Sequence, residues 1–132
     1  MLSNNKVDVP ENLISLAKKT SQMPVGIVSA HQRAAMESAK QACELDLIQP
    51  IFIGDKNGIQ EEANALNWDI NSFEIIDQNN DQEAAIAGVQ LARDNKIKVL
   101  IKGNLHTDTL MRAYLKKEFG LIAGRRLSHI WH

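Results

Sequence analysis

Residues 97–119 read IKVLIKGNLHTDTLMRAYLKKEF, and this stretch decides the fold. Ile97–Ile101 is a short run rich in β-branched residues, the composition of a buried strand. Lys102-Gly103 breaks it. A helix then opens near Thr107 and is expected to run to Phe119, because Leu110/Met111 and Tyr114/Leu115 stand four apart and form one stripe. Gly120 is placed to end it. The unit is strand, tight turn, helix.

The same alternation extends outward in both directions. Strand-like runs occur at Val25–Val28 (VGIV), Ile48–Ile53 (IQPIFI) and Phe73–Ile76 (FEII). Helical spacing fills the intervals. Ala35, Ala39, Ala42 and Cys43 share a face between His31 and Leu45; Ile86, Val89, Leu91 and Ala92 mark another between Asp81 and Asn95. Glu11–Lys19 reads as a first helix, with Pro10 at its start and Lys18 and Lys19 at its negative end. Gly54 and Gly58 bracket a turn, DKNG, after the second strand. Asn79-Asn80-Asp81 offers a cap before the next helix. LSHIW, residues 127–131, reads as a fifth strand. Strand–helix alternation of this kind implies a doubly wound α/β fold: a parallel sheet of about five strands with helices on both faces.

Composition narrows the function. The 132 residues suit one α/β domain spanning 1–132. The 15 basic and 16 acidic side chains leave a net charge of -1, which argues against a nucleic-acid surface. No signal-like segment or bilayer-length apolar run is visible, so a cytoplasmic protein without a membrane partner is expected. Cys43, the single cysteine, reads as a small core residue with no activating base nearby.

The sequence holds neither GxxxxGK[ST] nor GxGxxG after the first strand, where it reads Ser29-Ala30-His31-Gln32, so ATP, GTP and NAD are discounted. His129 and His132 are three apart in a strand-like run and would face opposite ways, so no metal site is expected. Ser128 beside His129 is no triad for the same reason.

An anion-binding pattern remains. Parallel sheets bind ligands where strand ends lead into helix N-termini, and two such ends stand out: VSAHQR and IKGNLHTD. Gly103 would let backbone approach a ligand closely. Lys102 supplies a mobile cation, and Thr107 or Asp108 would cap a helix whose N–H groups favour phosphate. Plain capping with a surface lysine explains the same residues. Arg125 and Arg126 add two guanidinium forks suited to phosphate oxygens, or form a surface arginine pair.

Motifs in this part of the chain resemble those of the phosphate acetyltransferase and phosphate butyryltransferase family. They are Lys102-Gly103, Leu105-His106-Thr107-Asp108, Leu110-Met111, Gly120-Leu121 and Gly124-Arg125-Arg126-Leu127-Ser128-His129. Ile48–Asp55 looks like the family's second strand and glycine turn. The resemblance spans roughly residues 22 to 131. It implies the first domain of an isopropylmalate-dehydrogenase-like two-domain architecture, truncated here, with the second domain and the C-terminal return absent. It implies transfer of an acetyl or butyryl group between an acyl phosphate and coenzyme A, with coenzyme A as substrate and no permanent cofactor. Arg125, or in second place Arg126, would hold phosphate, and Ser128 would donate nearby. Lys102, Gly103, Asn104, His106 and Thr107 would line the same cleft. Members commonly carry Arg-Thr where Ile122 and Ala123 stand here, which removes a cation and a hydroxyl. A Ser, an Arg and an Asp that the family's later half supplies are also missing. Catalysis by this chain alone is therefore expected to be absent or very weak, and the competing expectation is a non-catalytic remnant that keeps an anion or coenzyme A site. The family's members are usually dimers, and a bared sheet edge would favour a homo-oligomer.

Overall fold

A computed structural model describes residues 8–122 and 124. Helix α1 (Glu11–Ala17) precedes strand β1 (Met23–Val28), and then α2 (Arg33–Glu44), β2 (Ile48–Gly54), α3 (Lys56–Ala65) and β3 (Ile75–Asp77) follow. Helix α4 (Asp81–Arg93), β4 (Val99–Lys102) and α5 (Thr107–Tyr114) complete the order, with a short 3-10 turn at Lys117–Phe119. The fifth strand expected at 127–131 lies outside the described residues.

The four strands are parallel and ordered β3-β2-β1-β4. The chain steps outward from β1 to β3, then returns to pair β4 with the other side of β1. A right-handed crossover that reverses direction must move its helix to the opposite face. The side chains obey this. Met36 and Ala39 of α2 and Ile59 and Ala63 of α3 pack with Val25, Ile27 and Phe52 on one face. Ala84, Ala85 and Val89 of α4 and Ala113 of α5 pack with Val28 and Ile53 on the other. Alternate residues of β1 and β2 thus feed two different cores, which is why both strands read as continuous apolar runs. Phe52, Trp68 and Phe73 close the β3 end with three edge-to-face contacts, their ring centroids 5.6 to 6.0 Å apart.

Three helices stop by one device. After α2, Leu47 N–H donates to Ala42 and Asp46 N–H to Cys43; after α3, Trp68 donates to Ala63 and Asn67 to Asn64; after α4, Lys96 donates to Leu91 and Asn95 to Ala92. Asp46, Asn67 and Asn95 are left-handed, with φ 58°, 51° and 56°. Asp and Asn are the non-glycine residues that tolerate this region best, so each helix ends without a glycine.

Several expectations change. The DKNG segment is not a turn: Asp55 caps α3, accepting from Gly58 N–H at 3.2 Å, so Gly58 lies inside the helix. Helix α5 ends at Tyr114 rather than Phe119, and Leu115 points to solvent while Ala113 is buried. Gly120, at φ 65°, ends the 3-10 turn instead. On α2 Ala39 is buried as its face predicts, and Met36 joins it in the core. Asn80 caps α4 as expected, accepting from Gln82 N–H at 2.8 Å and Glu83 N–H at 3.3 Å.

A β-branched residue at a left-handed helix stop costs about 1–2 kcal/mol, whereas glycine fits without strain. Asn67→Val is therefore expected to lower the urea midpoint and Asn67→Gly to leave it level or raise it. An unchanged midpoint in Asn67→Val would remove Asn67 from the role of helix stop.

Candidate functional site

The reversal between β1 and β4 opens a crevice at the carboxyl ends of the strands, the place where parallel sheets bind ligands. Two turns meet there. Gly103 N–H donates to the Val28 carbonyl at 2.6 Å. A Cβ on Gly103 would lie 2.2 Å from the Ser29 carbonyl oxygen, so only glycine fits. Gly103 was expected to admit a ligand; what it admits is the chain's own backbone.

Ser29 is the most constrained residue of the crevice. It is 1% exposed and left-handed, with φ 54°. Its hydroxyl donates to Asp81 Oδ1 at 2.9 Å, tying the end of β1 to the first turn of α4. A buried serine in this region is held there by its surroundings. Apolar periodicity could not reveal it, because the signal is a backbone angle.

His31 follows, exposed, and its packing explains two glycines. A Cβ at Gly58 would lie 2.9 Å from His31 Cβ, and one at Gly54 would lie 3.4 Å from His31 Nδ1. The imidazole therefore stands over the start of α3. It borders a cleft of ≈ 760 Å³ whose walls include Asp55, Asn80, Asp81, Gln82 and Thr109. Asp77 Oδ1 accepts from Lys56 N–H at 3.1 Å beside it.

The expected anion site is only partly assembled. Lys102 is not a mobile cation: its ammonium donates to the Leu105 carbonyl at 2.8 Å and the Gly103 carbonyl at 3.3 Å, pinning the β4–α5 loop. Thr107 and Asp108 do not cap α5. His106 holds the cap position without a side-chain bond, Thr107 is the first helical residue, and Asp108 pairs with Arg112 at 3.3 Å. Lys102, Gly103, Asn104, His106 and Thr107 do lie together on that loop, with Asn104, His106 and Thr107 exposed. Arg125, Arg126 and Ser128 lie outside the described residues. Among the described residues, the cleft walls carry carboxylates and amides but no lysine or arginine.

No known family model matches this chain. Individual relatives do. Phosphate butyryltransferase of Clostridium beijerinckii is 32% identical over 120 residues, covering 91% of this chain and 40% of that protein. Phosphate acetyltransferase of Rickettsia felis is 31% identical over 118 residues, covering 89% and 34%. The chain resembles phosphate acyltransferases. It spans two fifths or less of the length of these relatives. The EutD phosphotransacetylase from Staphylococcus aureus superposes with a TM-score of 0.58 at 20% identity, covering 74% of this chain and 38% of that one. A branched-chain phosphotransacylase from Enterococcus faecalis gives the same TM-score at 22% identity. These two likenesses establish a shared fold. No helix among the described residues is long and apolar enough to cross a membrane, and no group of three metal-ligating side chains occurs among them.

Cys43 stays apart from this chemistry. Its thiol donates to the Ile48 carbonyl at 3.9 Å, and burial, with a smaller push from Glu44, raises its pKa from 9.0 to about 11. The neutral thiol is favoured, so reactivity rises with pH toward that value.

Two outcomes follow. Gly103→Ala should destabilise the chain by about 3 kcal/mol, because the obstruction is backbone rather than a movable side chain. A melting temperature equal to the parent's would show that the two turns do not touch. Alkylation of Cys43 at pH 8 should be about a hundredfold slower in the folded chain than in the urea-unfolded chain; equal rates would show that partial burial does not raise the thiol's pKa.

Proposed function

We propose that this chain supplies one wall of a site that transfers an acyl group between phosphate and coenzyme A. The observation that carries the reading is its similarity to phosphate butyryltransferase along 120 of its 132 residues. The crevice at the β1–β4 reversal lies where such a ligand would enter. In the transfer, the thiolate of coenzyme A attacks the acyl carbonyl carbon, a C–S bond forms, and the C–O bond to phosphate breaks. Protein groups contribute by positioning the reactants and stabilising the tetrahedral oxyanion.

Within this reading Arg125, or in second place Arg126, holds the phosphate, Ser128 donates nearby, and Asn104, His106 and Thr107 line the path to it. Lys102 acts indirectly, by fixing the loop that carries them. Turnover by the chain alone is expected to be absent or very weak, because it spans two fifths or less of the matched relatives. A second reading, a binding module without catalysis, is favoured by one observation: the described cleft walls hold no lysine or arginine to stabilise an oxyanion.

Calorimetric titration with coenzyme A, with phosphate as second ligand, tests the proposal. Saturable binding is expected, together with loss of the phosphate response in Arg125→Ala. No heat at millimolar coenzyme A would overturn the acyltransfer reading. An unchanged phosphate response in Arg125→Ala would remove that arginine from the site.

A further inference from the structure

Asn57-Gly58 is the single Asn-Gly pair of the chain, and packing is what requires glycine there. A Cβ at position 58 would lie 2.9 Å from His31 Cβ and 3.0 Å from Asp55 Oδ2. A larger residue would push either the histidine or the cap aside. The same bare backbone has a chemical consequence. With no Cβ on residue 58 in the way, its main-chain nitrogen can reach the side-chain carbonyl carbon of Asn57 whenever the backbone between them is free.

Two features of α3 hold that reaction back. Asn57 and Gly58 stand in its first turn, where helical ψ at Asn57 keeps Cγ away from the Gly58 nitrogen. The proton on that nitrogen is also engaged, since Gly58 N–H donates to Asp55 Oδ2 at 3.2 Å. The turn is tied down on either side. Lys56 N–H donates to Asp77 Oδ1 at 3.1 Å, and Ile59 N–H to the Asp55 carbonyl at 2.9 Å.

We propose that Asn57-Gly58 is a self-modification site gated by the Asp55 cap. When the first turn of α3 opens, the Gly58 nitrogen loses its proton to solvent and attacks Asn57 Cγ. A C–N bond forms, the bond from Cγ to the amide nitrogen breaks, and that nitrogen takes a proton from solvent and leaves as ammonia. Water then opens the cyclic imide at either carbonyl, giving aspartate or iso-aspartate at position 57. The imide has no N–H at Gly58, so Asp55 loses its donor. Iso-aspartate routes the backbone through the former side chain and lengthens it by a methylene, which disturbs the fit of Gly58 under His31. Asp55 and His31 both wall the cleft at the strand ends, so the modification loosens that wall. The reacting atoms belong to residues 57 and 58 and to water, so the inference does not rest on the acyltransfer reading.

The chain is incubated at pH 8, and iso-aspartate is read by peptide mass mapping and by methyl transfer from a protein-isoaspartate methyltransferase. Product concentrated at position 57 is expected, and Asn57→Gln should remove it. Asp55→Ala should speed it about fivefold, the factor that loss of a helix cap gives the open turn. Asp55→Asn still caps and should restore the parent rate. The parent chain carries the test if Asp55→Ala does not fold: in urea below the transition, loss of Asn57 and exchange of the Gly58 amide hydrogen should rise in parallel. Iso-aspartate at other asparagines with Asn57 intact would overturn the proposal. So would equal rates in Asp55→Ala and the parent, or loss of Asn57 that does not follow Gly58 exchange.

Discussion

The close approach of Gly103 to the Ser29 carbonyl is the contact on which the crevice depends. It fixes how near the turn after β4 can come to the turn after β1, and these turns belong to strands reached from opposite directions. With the backbones that close, Val28 accepts from Gly103 N–H, and Ser29 is pressed into a left-handed conformation. Its hydroxyl then meets Asp81, which brings the start of α4 to the same point. Three elements are set by one missing side chain.

The chemistry of the strand ends follows from how each loop satisfies itself. Asp55, Asn80 and Asp77 spend acceptor oxygens on backbone N–H groups, and Lys102 spends its donors on loop carbonyls. The polar groups that look functional in sequence are largely holding their own turns. His31 differs: it packs over two glycines and presents an exposed ring to the cleft.

Much of the fold was legible in the sequence, and the misses have physical causes. The runs at β1 and β2 read correctly because burial on both faces forces continuous apolar stretches; β4 reads as a buried strand at 97–101, whereas it spans Val99–Lys102 and leaves Val99 and Ile101 exposed. Helix α3 was hidden by Asn57-Gly58, turn residues that here form its first helical turn under an Asp55 cap. The ends of α2, α3 and α4 lacked the glycine signal because Asp46, Asn67 and Asn95 take its place. The site was less legible. Loop residues such as Lys102 can be named from sequence, but whether an ammonium faces solvent or its own carbonyls is decided in three dimensions. Ser29 and His31 matter through a dihedral angle and a packing contact, neither of which has a periodicity.

The register that pairs Val25 with Val99 has a kinetic meaning. Strands β1, β2 and β3 are joined by short crossovers, so each can find its neighbour with a modest loss of chain entropy. Strand β4 reaches β1 only after the whole β2–α4 segment has been closed into a loop, which makes its arrival the most demanding step. Because the crevice lies between β1 and β4, it comes into being with that step. A molecule that has formed its first three strands already has most of one core and the ends of β1 and β2 that carry Ser29, His31 and Asp55, but it lacks the Gly103–Ser29 contact that joins the two turns.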